Sequence, residues 1–244
     1  MTDQLLAELR KMRSTRTNLG LLAGMVALIL LTVLLTGFVA KAPDLTGHDN
    51  QHGLISAGTA GALFAALIGV MAITSEFRHG TIRPTFVVTP QRTRVIAAKI
   101  IASLVMGILF GLAAIALSFG LGYAILAIRG IPLELETNHI VWLMLGTPAM
   151  TAAWAAIGVG LGAIVRNQVL AVIGLIVWAM LIDNLLVNLV PSVGSYTPGA
   201  ASAAIIADPA DYVLGAAAGG LLLLGYVAAF VAIGSLLVAR RDVT

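Results

Sequence analysis

Six stretches of almost purely apolar residues constrain the fold of this chain more than any other feature of its sequence. The hydrocarbon core of a bilayer is about 30 Å thick, and a helix rising 1.5 Å per residue crosses it in roughly 20 residues. Each stretch reaches that length. We therefore predict an all-α, polytopic membrane protein with six transmembrane helices. The predicted spans are residues 19–40, 54–74, 101–128, 140–165, 169–190 and 213–239.

The composition agrees with a bilayer as the solvent of this chain. Hydrophobic residues make up 59% of it and charged residues only 10%, whereas soluble domains carry about 25% charged residues. Disordered chains combine low hydrophobicity with high charge, so disorder is excluded as well. Six spans and their connections occupy nearly all 244 residues. Residues 1–244 are thus predicted to form a single transmembrane domain without a separate soluble catalytic domain.

The distribution of basic residues predicts how the spans are oriented. If the N-terminus is cytoplasmic, 12 of the 14 Lys and Arg residues fall in cytoplasmic segments, and only Lys41 and Arg129 fall outside. Short cytoplasmic loops of membrane proteins are enriched in Lys and Arg. Both termini are therefore predicted to be cytoplasmic, in a multi-pass protein of the cell membrane, the plasma or inner membrane of a bacterium. The formal net charge of +3 then reflects topology, and nucleic acid is not expected as a partner.

Two shorter segments are predicted to lie at the membrane surfaces. In residues 1–18 the apolar residues from Leu5 to Met12 share one helical face and Glu8 lies largely off it, which indicates an interfacial elbow helix. A flexible basic tail is the alternative. Residues 191–212 are interrupted by prolines and too short to span a bilayer, so we expect a re-entrant or surface segment on the outer side.

Pairs of glycines four residues apart occur in four of the apolar segments. Such pairs allow two helix backbones to approach closely in a membrane. In a chain with 26 glycines they favour general packing of the bundle, and a dedicated dimer face is the alternative for any one pair. The pairs are Gly20 with Gly24, Gly107 with Gly111, Gly158 with Gly162, and Gly215 with Gly219.

Ionisable side chains are scarce within the predicted spans. Asp183 is the clear example, and Asn184 and Asn188 continue a polar stripe at helical spacing toward the outer end of span five. Polar residues inside a membrane often line a substrate path. The alternative is a polar cluster that packs helices or lies at the outer interface.

The sequence offers no catalytic motif. It lacks the nucleophile elbow G-x-S-x-G, the zinc motif H-E-x-x-H and the phosphate-binding loop G-x-x-x-x-G-K-[ST]. It also contains no cysteine, which excludes disulfides and thiolate metal sites. We therefore expect neither an enzyme nor a bound cofactor or metal ion, and any energy source would be a gradient or another polypeptide.

The polar segment 75–99, between spans two and three, is the most informative part of the chain. Three residues suffice for another connection that is predicted to be cytoplasmic, at Arg166. This one instead combines Glu76 at the membrane exit with an apolar strip at residues 86–88 and several basic residues. Charge together with exposed apolar surface is typical of a docking surface for a soluble partner. A solvated basic loop held against anionic lipid headgroups is the alternative.

This segment resembles the cytoplasmic loop of the permease subunits of type-2 ATP-binding-cassette (ABC) exporters. In that family an acidic residue and a Gly-Thr pair precede a proline, basic residues and a lysine that leads into the next span. The six-span layout with an N-terminal elbow helix extends the resemblance over nearly the whole chain, although the large ectodomain of some relatives is missing. The matching residues here are Glu76, Phe77, Arg78, Gly80, Thr81, Pro90, Arg92 and Lys99.

The resemblance implies the function and the partners of the chain. A separate cytoplasmic ATPase subunit, in two copies, would bind ATP and Mg²⁺ and dock on residues 75–99. A second permease subunit, identical or different, would complete the exporter. The cargo would be hydrophobic or amphiphilic, such as a drug, a lipid or a natural product, in keeping with the mostly apolar spans.

A self-contained channel or a gradient-driven secondary transporter is the alternative function. Six spans in a chain of this length suit aquaporin-like channels, but the Asn-Pro-Ala signature of those channels is absent, since Asn184 and Asn188 each precede Leu. No two interrupted segments in corresponding halves indicate an inverted repeat. An intramembrane enzyme is disfavoured because the sequence shows no nucleophile paired with a base.

Overall fold

A computed structural model describes residues 2–81, 92–206 and 214–240, and over these ranges the chain is helical and contains no strand. Within these ranges six helices are long and apolar enough to cross a membrane, which confirms the predicted number. Spans one to four are Arg16–Val39, Gly61–Arg78, Arg92–Ile128 and Thr137–Val165. Span five consists of Gln168–Val177, a π-helical turn Trp178–Ile182 and Asp183–Leu189, and span six is Ala216–Arg240.

Several helices extend well beyond the apolar stretches that predicted them. Span two continues to Arg78 and span three begins at Arg92, so the ends of the predicted loop 75–99 are helical. Span two is also preceded by a short helix, His48–Ile55, and a 3-10 turn, Ser56–Ala60. Apolarity marks only the part of a helix that lies in hydrocarbon. The backbone hydrogen bonds of a helix continue into polar surroundings, so the helix does not end where the apolar run ends.

Span four is the centre of the bundle. Spans two, three and six all pack on it, and Ala155, Ala156 and Val159 in its middle are fully buried. Spans one, five and six are peripheral and expose leucines such as Leu31, on span one, to the surroundings. Exposed leucines suit a helix whose outer surface contacts lipid.

The closest helix crossing joins spans two and four. A Cβ atom built on Gly69 would lie 2.0 Å from the carbonyl oxygen of Ala155, and one built on Gly158 would lie 2.1 Å from that of Ala66. Both positions therefore require glycine, because any side chain would push the two backbones apart. Gly162 likewise faces span two, so this predicted glycine pair is used for packing within the chain.

The other glycine pairs differ in how much they pack. Gly107 and Gly111 both lie against the backbone of span four. In the two remaining pairs one member has a close neighbour, whereas Gly20 and Gly215 have no atom within 4 Å of a built Cβ. Close packing within the chain thus accounts for two of the four pairs completely.

Two short helices, Pro191–Gly194 and Pro198–Ile205, follow span five and return into the bundle. We call them the hairpin. The second helix packs between spans four and six, and the indole Nε1–H of Trp154 donates a hydrogen bond of 2.9 Å to Ser202 Oγ. Trp154 lies near the middle of span four, Thr137–Val165. The hairpin therefore packs into the bundle, and residues 207–212 of the predicted outer segment lie outside the described residues.

The N-terminal helix, Thr2–Ser14, lies against the beginning of span three. Met12 anchors it, since that side chain is only 3% exposed. Asn18 at the start of span one donates a hydrogen bond of 2.8 Å to the Met12 carbonyl. The two helices meet at Thr15, where the backbone is extended. The N-terminal segment is thus an ordered helix that turns into span one.

Candidate functional site

Four charged residues meet at the end of the bundle that holds the N-terminal helix and the end of span six. We call this end the terminal face and the four residues, Glu8, Lys11, Glu76 and Lys99, the charge cluster. Lys99 Nζ donates to both carboxylate oxygens of Glu8, at 2.9 and 3.0 Å, and to Glu76 Oε1 at 2.7 Å. Lys11 also pairs with Glu76 Oε1. The cluster joins the N-terminal helix, span two and span three.

The charge cluster is mostly withdrawn from solvent. Lys99 is 1% exposed and Glu76 is 2% exposed, whereas the Lys11 side chain remains about half exposed. Two acids and two bases balance in charge, and charge pairing is what makes the burial of such groups tolerable. One oxygen atom of the cluster is not paired: Glu76 Oε2 is buried and has no hydrogen-bond partner in the described part of the chain.

The local sequence explains how three separate elements supply these charges. Glu8 and Lys11 are three residues apart on one helix and therefore share a face. Glu76 occupies the last turn of span two, two residues before its end at Arg78, and Lys99 lies in the third turn of span three. Two helix ends and the N-terminal helix thus place their charged side chains at a single depth.

Phe77 connects the cluster region to the turn between spans four and five. The guanidinium of Arg166 lies over the Phe77 ring, 5.2 Å from its centroid, a distance at which a cation is attracted to the aromatic face. Arg166 Nη2 also donates a hydrogen bond of 3.1 Å to the carbonyl of Leu237 near the end of span six. Arg166 has a left-handed backbone, with φ of 56°, and this conformation ends span four.

Arg78 makes a third connection from the same stretch of span two. Its Nη1 donates to Gln168 Oε1, at 3.3 Å, on the first residue of span five. Beyond Arg78 the helix ends, and Gly80 adopts a φ of +67°, a conformation that glycine reaches without strain. Thr81 follows on the exposed surface. The three consecutive side chains Glu76, Phe77 and Arg78 therefore contact three different neighbouring parts of the bundle.

The remaining predicted coupling residues are located less completely. Lys99 belongs to the charge cluster, as stated above. Arg92 is the first residue of the span three helix. Pro90 and the apolar strip at residues 86–88 lie outside the described residues.

Four contributors to this site were not singled out as site residues from the sequence: Glu8, Lys11, Arg166 and Gln168. Glu8 was placed largely off the buried face of the N-terminal helix, whereas in the structure it is 8% exposed and bound to Lys99. A usable signal was Lys99 itself, because a lysine that interrupts an apolar run needs an acidic partner when it is buried. Arg166 gave no comparable signal, since its partners lie on distant segments.

The predicted polar stripe at the other end of span five divides between two surfaces. Asp183 is buried and accepts a hydrogen bond of 3.2 Å from the backbone N–H of Gly199. It therefore holds the start of the second hairpin helix, where a carboxylate is favoured by the helix dipole. Asn184 and Asn188 are exposed, and their amide groups donate to carbonyls of their own helix.

Comparison of the sequence with protein-family models and with curated proteins returns no match.

Proposed function

We propose that this chain is the membrane-spanning permease subunit of an ATP-driven ABC exporter, with both termini in the cytoplasm of a bacterial cell. A separate ATPase subunit would dock on the terminal face around residues 75–99. The observation that carries the proposal is the set of contacts made by Glu76, Phe77 and Arg78. A displacement of this stretch would therefore be transmitted through direct contacts to several spans.

Glu76, Phe77 and Arg78 each connect the proposed docking surface to different helices of the bundle. Glu76 reaches the N-terminal helix and span three through the charge cluster. Phe77 reaches span six through Arg166, and Arg78 reaches span five through Gln168. Span five is peripheral, little buried and makes few contacts with span four, so it can shift relative to span four, whereas span six packs closely on span four. Closure of the docked ATPases would therefore be transmitted mechanically.

The exposed face of span five supports a second permease subunit as a further partner. Asn184 and Asn188 lie on this face among exposed leucines such as Leu181 and Leu185. Amide side chains on a membrane helix are favoured against another helix, which offers hydrogen-bonding groups that lipid lacks. We propose that a second copy, or a related subunit, covers this face and that a hydrophobic or amphiphilic cargo passes at the contact.

The placement of Asp183 argues against the alternative, a channel or a gradient-driven carrier. Ion-coupled carriers use intramembrane carboxylates to bind the coupling ion or proton. Asp183, the clear carboxylate within the predicted spans, is engaged by the hairpin through the backbone N–H of Gly199. Its charge serves to hold two segments of the chain together.

The test is to co-express the tagged chain with an ABC ATPase encoded beside its gene and to purify it from detergent-solubilised membranes. We expect the ATPase to co-purify and its hydrolysis rate in proteoliposomes to depend on the permease. Glu76→Gln and Arg78→Ala should reduce that dependence while the complex still assembles. Glu136→Gln is the matched control, since Glu136 is an exposed carboxylate at the opposite end of the bundle.

Two results would count against the proposal. One is normal coupling of ATP hydrolysis in the Glu76 and Arg78 variants. The other is transport by the purified chain alone, without ATP or a partner, which would establish the channel or carrier alternative.

A further inference from the structure

Spans four, five and six enclose a cavity of about 270 Å³ that lies away from the charge cluster. Its wall is almost entirely apolar and rich in aromatic rings, and Pro198 of the hairpin closes one side. Tyr226 contributes its ring, while its hydroxyl donates a hydrogen bond of 2.8 Å to the Tyr196 carbonyl. The principal wall residues are Trp154, Ile157, Leu175, Trp178, Tyr226 and Phe230.

The cavity exists because spans five and six both pack on other parts of the bundle and meet each other at few positions. Span six approaches span four so closely that a Cβ built on Gly160 would lie 2.6 Å from the backbone of Phe230. Span five packs elsewhere on the bundle, so a gap remains between spans five and six. Gly174 of span five lines the cavity, is exposed, and has no atom within 4 Å of a built Cβ. The gap is therefore open beside Gly174.

The chemistry of the wall and of its surroundings identifies the occupant. The part of the wall that the structure describes carries no charged side chain, so these residues offer no charge to bind a phosphate or another charged headgroup. Apolar cavities of this kind do not retain water, and an empty one forfeits the dispersion contacts of its lining. Spans five and six expose apolar side chains such as Ile173 and Leu224, as expected for surfaces in hydrocarbon.

We propose that this cavity binds the hydrocarbon chain of a bilayer lipid, which enters between spans five and six beside Gly174. The lipid headgroup stays outside, at the membrane surface. Inside the cavity the chain contacts the Trp154 indole, which is only 6% exposed and is held by Ser202. The proposal does not rest on the export function proposed above.

The tryptophans of the protein provide the probe. The chain contains three, and Trp142→Phe together with Trp178→Phe leaves Trp154 as the sole emitter. This variant is reconstituted into nanodiscs of a phosphatidylcholine with bromine atoms on its acyl chains, and separately into the unbrominated lipid. Bromine quenches tryptophan on contact. We expect a clear loss of Trp154 emission in the brominated lipid and little quenching by acrylamide, which is dissolved in water.

Closing the gap should remove the effect. Gly174→Leu adds a side chain at the opening where no neighbouring atom obstructs its Cβ, and should restore Trp154 emission in the brominated lipid. Gly225→Leu is the matched control, because Gly225 is also exposed, has open space around it and does not line the cavity. It should leave the quenching unchanged.

Any of three results would overturn the proposal: no quenching of Trp154 by brominated lipid, equal quenching in the Gly174→Leu variant, or strong quenching by acrylamide. If the double tryptophan variant does not fold, the unaltered protein is labelled with a lipid that carries a photoreactive diazirine near the middle of its acyl chain. Labelled peptides should then include the cavity wall around Ile157 in span four, and their absence would equally reject the site.

Discussion

Replacement of Lys99 by Met is expected to destabilise this protein by about 3–5 kcal/mol, the cost of removing one partner from a buried ion pair. Methionine keeps most of the apolar bulk of lysine but removes its charge and its donors. Lys99 is 1% exposed and donates at 2.9 and 3.0 Å to Glu8 and at 2.7 Å to Glu76. Without it, the half-exposed Lys11, which pairs with Glu76, is the remaining base of the charge cluster, and Glu8 loses its partner in the cluster.

The same reasoning predicts that a second substitution repairs part of the damage. Lys99→Met combined with Glu76→Gln leaves Glu8 and Lys11 as a balanced pair, so the uncompensated negative charge disappears. We expect the double variant to be more stable than Lys99→Met alone, with a coupling energy of about 1–3 kcal/mol, within the range for residues in one network.

The free energy of unfolding can be measured by titration with sodium dodecyl sulfate in mixed micelles, followed by tryptophan fluorescence. Arg10→Met is the control, because Arg10 is an exposed cation on the same N-terminal helix as Glu8. Its effect should stay within about 0.5 kcal/mol, as for surface substitutions in general. The reasoning is refuted if Lys99→Met costs no more than Arg10→Met, or if Glu76→Gln adds its full cost in the double variant.

Three further predictions test the packing described above. Gly69→Ala should destabilise the bundle by about 1–3 kcal/mol or more, since its Cβ would lie 2.0 Å from a backbone oxygen of span four. Gly20→Ala, the control, should be neutral or slightly stabilising, and thermal unfolding of both variants measures the difference. Gly199→Ala places a Cβ 1.9 Å from Asp183 Oδ2, so amide hydrogen exchange in the hairpin should accelerate, and unchanged protection would contradict the role given to Asp183. Arg166→Gly should be more stable than Arg166→Ala by about 1 kcal/mol or slightly more, because alanine is strained at the positive φ of this turn, and equal stability of the two variants would argue against that backbone conformation.

The sequence allowed the helices at the terminal face to be predicted better than their partners. Glu76 and Lys99 were identified as members of one segment, and they do form an ion pair. Their other partners, Glu8 and Lys11, come from a helix 65 or more residues away in the chain. Amphipathic spacing placed Glu8 on the polar side of that helix. It could not show that span three presents a lysine to this side, because that depends on how the helices pack.

The polar stripe of span five illustrates the same limit. Spacing of four residues correctly places Asn184 and Asn188 on one side of a helix. The π-helical turn at Trp178–Ile182 and the return of the hairpin decide that Asp183 faces inward while both asparagines face outward. Neither feature can be recognised from the spacing of residues in the sequence. The sequence therefore could not show that Asp183 and the two asparagines face different surfaces.

The sequence by itself determined that this chain has six membrane helices, because about 30 Å of hydrocarbon requires long apolar runs and allows few charges in them. The required length and apolarity apply to each segment separately, so the composition of each segment is enough to recognise them. Only the tertiary structure decided which charges meet at the terminal face, which glycines face a backbone and where a cavity opens between spans five and six. These properties depend on the relative positions of segments far apart in the chain. In a membrane those positions follow from the detailed fit of apolar surfaces, since apolarity alone does not distinguish a neighbouring helix from lipid.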